Sequence, residues 1–121
     1  MEIPISPVPK PRMTQSDKWK KRPCVVRYFN YANELREYCK RANITLSERL
    51  SVTFVLPMAA SWSDKKRREF DGKYHKSRPD LDNLLKAFQD ALCDEDSHIS
   101  HYVDVKKIWG VEGKIILESE H

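Results

Sequence analysis

The segment Arg78-Pro79-Asp80-Leu81-Asp82-Asn83-Leu84-Leu85-Lys86 holds the side chains best suited to chemistry. If Asp80 and Asp82 both lay within a helix, a turn of about 100° per residue would send their carboxylates to nearly opposite sides. In an extended segment, residues i and i+2 point the same way. Pro79 disfavours helix at Arg78, and Asp82 reads as an N-cap. The two carboxylates are therefore expected side by side where a helix begins, next to its partial positive charge. Parallel carboxylates repel unless a cation lies between them. Mg²⁺ is a suitable one, because it binds through one or two carboxylates and keeps waters for a substrate phosphate. A third carboxylate is expected from Asp94-Glu95-Asp96, after the helix. Lys86 lies one turn beyond Asp82 on the same flank, placed to meet a phosphate. A plainer reading makes Asp80 or Asp82 a helix cap and Asp82-Lys86-Asp90 an i,i+4 ion-pair ladder. Cys93, His98 and His101 have loosely zinc-like spacing, but they are only three scattered ligands. His101 reads better as a core histidine on the apolar side of a strand.

The elements that must position these residues follow from periodicity. Leu81, Leu84, Leu85, Phe88, Ala91 and Leu92 form one apolar stripe, a helix. Four prolines in residues 3–12 exclude a helix there and leave an edge strand or an extended arm. Residues 14–24 read as a loop. Tyr28, Tyr31, Ala32, Leu35, Tyr38, Cys39 and Ala42 keep helical spacing, with Asn43 as the stop. Leu50, Val52, Phe54 and Leu56 alternate with Ser51 and Thr53, a half-buried strand ended by Pro57. Ser61 or Ser63 can cap a short basic helix closed by Gly72, and residues 72–79 read as a loop. Ile99, His101, Val103 and Val105 alternate as a strand. Gly110 to Gly113 predict a turn, with Lys114 to Glu118 pairing back as a hairpin. The fold class is α+β: a small mixed β-sheet with helices packed on it, in the order β-α-β-α-α-β-β. One domain over residues 1–121 is expected.

Charge is polarised along the chain. Of 22 basic and 18 acidic residues, residues 10–27 hold seven bases and one acid, and residues 64–78 hold seven bases and three acids. The remainder carries eight bases and fourteen acids, a net charge of −6 against +4 for the whole. In and just before the second basic stretch, Trp62, Phe70, Tyr74 and His75 sit among Lys65, Lys66, Arg67, Arg68, Lys73, Lys76 and Arg78. Cations for phosphates and rings for bases are what a nucleic-acid surface needs. Lys10 and Arg12 extend the basic set toward the N-terminus. The longest nearly apolar run, Val52 to Ala60, is far too short to span a bilayer. The N-terminus has no signal-peptide pattern. Cys24, Cys39 and Cys93 form no C-x-x-C pair, so a disulfide framework is not expected and a reducing cytoplasm is.

The motif Arg78-Pro-Asp80-Leu-Asp82-Asn83-Leu-Leu-Lys86-Ala-Phe-Gln-Asp90-Ala-Leu92, followed by Glu95-Asp96-Ser97-His98-Ile99, resembles the RusA-type Holliday junction resolvases of bacteria, phages and prophages. The resemblance is close over residues 64–109, and Lys10-Pro11-Arg12-Met13-Thr14 is similar to the family's basic, proline-containing entry. Glu95 stands where the family has the first aspartate of an acidic loop pair, and Asp94 is an additional acid. The resemblance implies Mg²⁺-dependent cleavage of phosphodiesters at four-way DNA junctions by a homodimer, with Mn²⁺ as a possible substitute. Its metal carboxylates would be Asp80, Asp82 and Asp96, and its assisting lysine Lys86. The expected function is a structure-selective endonuclease of DNA recombination and repair, with Lys10, Arg12 and the basic residues of 65–78 holding the DNA. The rivals are a non-catalytic DNA-binding module and a metal-dependent nuclease acting on flaps or plain duplex.

Overall fold

The computed structural model describes residues 1–12, 22–93 and 99–118. The elements are β1 (Glu2–Ile3), α1 (Pro23–Arg41), β2 (Arg49–Pro57), α2 (Asp64–Phe70), α3 (Leu81–Leu92), β3 (His101–Gly110) and β4 (Lys114–Glu118). This is the expected β-α-β-α-α-β-β order around one mixed sheet. The chain divides into two compact units. One comprises Met1–Pro7, Ser47–Arg78 and Ile99–His121; the other comprises Val8–Leu46 and Pro79–His98.

The first unit carries the sheet, with strand order β1-β4-β2-β3. β2 runs parallel to β3 and antiparallel to β4, and β1 joins the far side of β4 antiparallel. Pro4 and Pro7, just past β1, suit a short edge strand that needs few ladder donors. The predicted β3–β4 hairpin does not form, because β2 lies between the two strands. The turn at residues 111–113 instead passes across the end of β2, where Pro57 stops the ladder. At each end of that crossing there is no room for a side chain. A Cβ on Gly110 would lie 2.3 Å from Val55 Cγ1, and one on Gly113 would lie 2.1 Å from Ser6 Oγ. As the central strand, β2 is buried on both faces and not half-buried: Ser51 and Thr53 are as enclosed as Leu50, Val52 and Phe54.

β3 departs from simple alternation. Leu50 pairs with Tyr102 and Ser51 with Asp104, so Val103 is an extra residue in a bulge. As the edge strand, β3 is exposed on both phases from His101 to Asp104. His101, read as a core residue, is exposed, and Val103 is 38% exposed. Among the described residues the buried histidine is His75, at 4%.

In the second unit α1 and α3 pack together. Pro23 sits at the first turn of α1, where its missing N–H is no loss. Lys40 and Arg41 suit the negative C-terminal end. Asn43, with φ 57°, takes the left-handed conformation that ends the helix, as expected. Val25, Tyr28, Tyr31, Ala32, Leu35 and Cys39 face inward from α1, and Leu84, Ala87, Phe88 and Ala91 from α3. Arg36 ties the helices at their polar margin, donating through Nε to the Ala91 carbonyl at 2.7 Å.

Candidate active site and nucleic-acid interface

The second unit presents the acidic motif at the start of α3. Asp80, not Asp82, is the N-cap, with extended backbone (φ −69°, ψ 142°), and the Asp80 carbonyl accepts from the Leu84 N–H at 3.2 Å. The helix therefore begins two residues earlier than the sequence suggested. Leu81 accounts for this, since it belongs to the helix's apolar stripe. The Asp80 carboxylate makes no capping hydrogen bond. Asp82 sits in the first turn, and its Oδ1 accepts from the Asn83 N–H at 3.0 Å. Both aspartates are exposed. They are hard oxygen donors open to solvent, the donor type that Mg²⁺ takes while keeping waters. Asp94, Glu95, Asp96 and His98, including the expected third carboxylate, lie outside the described residues. Among the described residues no three His, Cys, Asp or Glu side chains gather as a metal site.

Farther along α3, Asp90 organises two lysines. Lys86 Nζ lies 3.3 Å from Asp90 Oδ1, and Lys10 pairs with Asp90 Oδ2 from 80 residues away. Burial pushes the Asp90 carboxyl up, but the hydrogen bonds from Lys10 and Lys86 outweigh it and hold the group below the ordinary carboxylate value. The chain entering at Lys10 is fixed a second way, by its own N–H donating to the Asn83 carbonyl at 3.1 Å. The i,i+4 pair of the plainer reading thus exists for Lys86 and Asp90. Sequence spacing gave no sign that Lys10 shares the same acid.

The first unit carries the second basic stretch. Ser63 caps α2, accepting from the Lys66 N–H at 3.2 Å, and Gly72 (φ 80°) turns the chain after it. Residues 72–75 then run along the outer side of β3. Gly72 N–H donates to the Trp109 carbonyl at 2.8 Å, Trp109 N–H to the Lys73 carbonyl at 2.9 Å, and His75 N–H to the Lys107 carbonyl at 3.0 Å. Trp62 packs at 5.5 Å from Phe70 and 4.8 Å from Trp109, and His75 lies 3.8 Å from Trp109 between ring centroids. Burial, followed by the nearby Lys107 charge, lowers the His75 pKa below its ordinary value. Lys65, Lys66, Arg67, Arg68, Lys73, Lys76 and Arg78 form no ion pair with a described residue. Trp109 was not singled out in the sequence, because its partners lie more than 30 residues away and no local period links them.

A helix-borne acidic motif, paired lysines and a basic, aromatic surface without ion pairs among the described residues thus stand on one chain. A family model described as Endodeoxyribonuclease RusA matches residues 4–118, and the chain belongs to that family. Neither curated proteins nor solved structures give a significant match. No helix among the described residues is long and apolar enough to cross a membrane.

Proposed function

We propose that the protein is a Mg²⁺-dependent, structure-selective endonuclease that resolves four-way DNA junctions by paired phosphodiester cleavage in recombination and repair. The observation that carries this reading is the RusA family match over residues 4–118, which spans the whole Asp80–Asp96 motif. Asp80, Asp82 and Asp96 would hold Mg²⁺, which when bound supplies charge neutralisation at the phosphate and activation of water. Lys86 holds a positive charge one turn from Asp82, anchored by Asp90, and offsets charge that develops on the phosphate in the transition state. Lys10, Arg12, Lys65, Lys66, Arg67, Arg68, Lys73, Lys76 and Arg78 hold the junction arms. One carboxylate set per chain and two cuts per junction favour a homodimer, whose two-fold axis suits a substrate with the same approximate symmetry. The cytoplasm is the matching compartment.

The test is a cleavage panel of four-way junction, flap and linear duplex with Mg²⁺ or Mn²⁺. Symmetric paired nicks confined to the junction are expected. Cutting of flaps or duplex at equal rates would move the substrate elsewhere, and no cutting with either ion would leave a DNA-binding module.

A further inference from the structure

We propose that the cleft between α2 and the strand-like segment 72–77 is a binding site for one unpaired nucleobase of a DNA strand. The cleft has a volume of about 610 Å³ and is lined by Trp62, Phe70, Tyr74 and Trp109 with Lys66, Lys73 and Lys76. That size falls among small-ligand clefts, about 300–1,000 Å³. Its charged lining residues are three lysines and no acid. An apolar or cationic occupant would leave these charges unanswered, whereas a nucleotide answers both halves of the lining: the base meets the rings and its phosphates meet the lysines. Lys66 Nζ stands 4.1 Å from the Trp62 ring centroid, so cation and ring are already held together.

The frame is rigid where a stacking site needs it to be. Backbone hydrogen bonds at Gly72, Lys73 and His75 fasten one wall to β3, and His75 backs Trp109 from the buried side. Tyr74 is bridged to Ile108 through its backbone, yet the residue is 66% exposed. A fixed backbone carrying a ring into water gives a base one open π face. Paired bases in a duplex present only their edges, so this site takes a base released from the stack, as occurs where strands branch or separate.

The inference rests on the reading that the protein handles DNA, and the test separates the two. Trp19, the remaining tryptophan of the sequence, is replaced by Phe so that fluorescence reports Trp62 and Trp109 alone. Binding of an oligodeoxythymidylate is compared with that of an abasic oligonucleotide of equal length, which keeps the phosphates and lacks the bases. The thymidylate should quench the fluorescence and bind roughly ten-fold more tightly, the scale of one stacked base. Tyr74→Ala should bring the two affinities together, and Tyr74→Phe should keep them apart. Lys76→Gln should weaken both oligonucleotides alike. Equal binding and equal quenching by the two oligonucleotides in the Trp19→Phe protein that keeps Tyr74 would overturn the base site. Junction nicking with Mg²⁺ is scored on the same samples. Intact nicking without base preference overturns the base site alone. Base preference without nicking upholds the base site and overturns the nuclease.

Discussion

Asp82 is the residue on which the nuclease reading turns. Asp82→Asn keeps the oxygen that accepts from the Asn83 N–H and removes a negative charge. Cleavage should be lost while junction binding is retained or strengthened, as read by nicking and gel shift. A normal nicking rate would remove Asp82 from the metal site. Lys86→Ala should lower the single-turnover rate by more than it lowers affinity, since one lysine among many adds little to phosphate binding. A charge beside the reacting phosphate acts mainly in the transition state. Parallel losses of rate and affinity would reduce Lys86 to an ordinary phosphate contact. His75 sets a pH dependence. Its folded pKa lies below the ordinary 6.5, so from that value downward the unfolded chain takes up a proton before the native one does. Stability is full above about 6.5 and is lost as pH falls through the folded value. Thermal unfolding between pH 5 and 7.5 should show this slope, flattened in His75→Gln.

At the scale of elements, burial without a polar partner marks Tyr31. Its hydroxyl finds no hydrogen-bond partner in the described structure, and burial drives its pKa well up. Tyr31→Phe should leave α1 intact and raise stability by about 0.5–1 kcal/mol, measured by urea unfolding, because an unsatisfied buried group is removed. The helices were legible because their signals are local: the stripe from Leu81 to Leu92, the Asn43 stop, the Ser63 cap and Gly72. The sheet was less so. Alternation in β3 failed because an edge strand leaves His101 to Asp104 exposed in both phases, and the hairpin failed because nothing local to Gly110–Gly113 tells that β2 will come between the strands. For the same reason the acid motif was visible at once, whereas Lys10 at Asp90 and Trp109 under the basic stretch required the folded chain.

For the whole molecule, electrostatics should dominate DNA binding. If about half of the fourteen bases in the two basic stretches meet phosphate, log K should fall with a slope of roughly −6 against log[salt]. Titrations from 50 to 200 mM salt read it directly, and a flat response would contradict phosphate docking.

The position of β2 has a further consequence, for synthesis on the ribosome. Both strands that flank it, β3 and β4, lie at the C-terminal side, and β1 has only β4 as its neighbour. When Pro57 leaves the peptidyl-transferase centre, β2 has neither partner, and some sixty more residues must be translated before Glu118 completes the sheet. At roughly 5–20 residues per second that is several seconds. Once this segment clears the exit tunnel, Leu50, Val52, Phe54, Val55 and Leu56 have no sheet partner on either side until β3 and β4 follow, the kind of segment on which nascent chains aggregate or chaperones settle. Ribosome-stalled chains ending before His101 should therefore remain protease-sensitive through β2, and protection should arrive in one step once β4 has emerged.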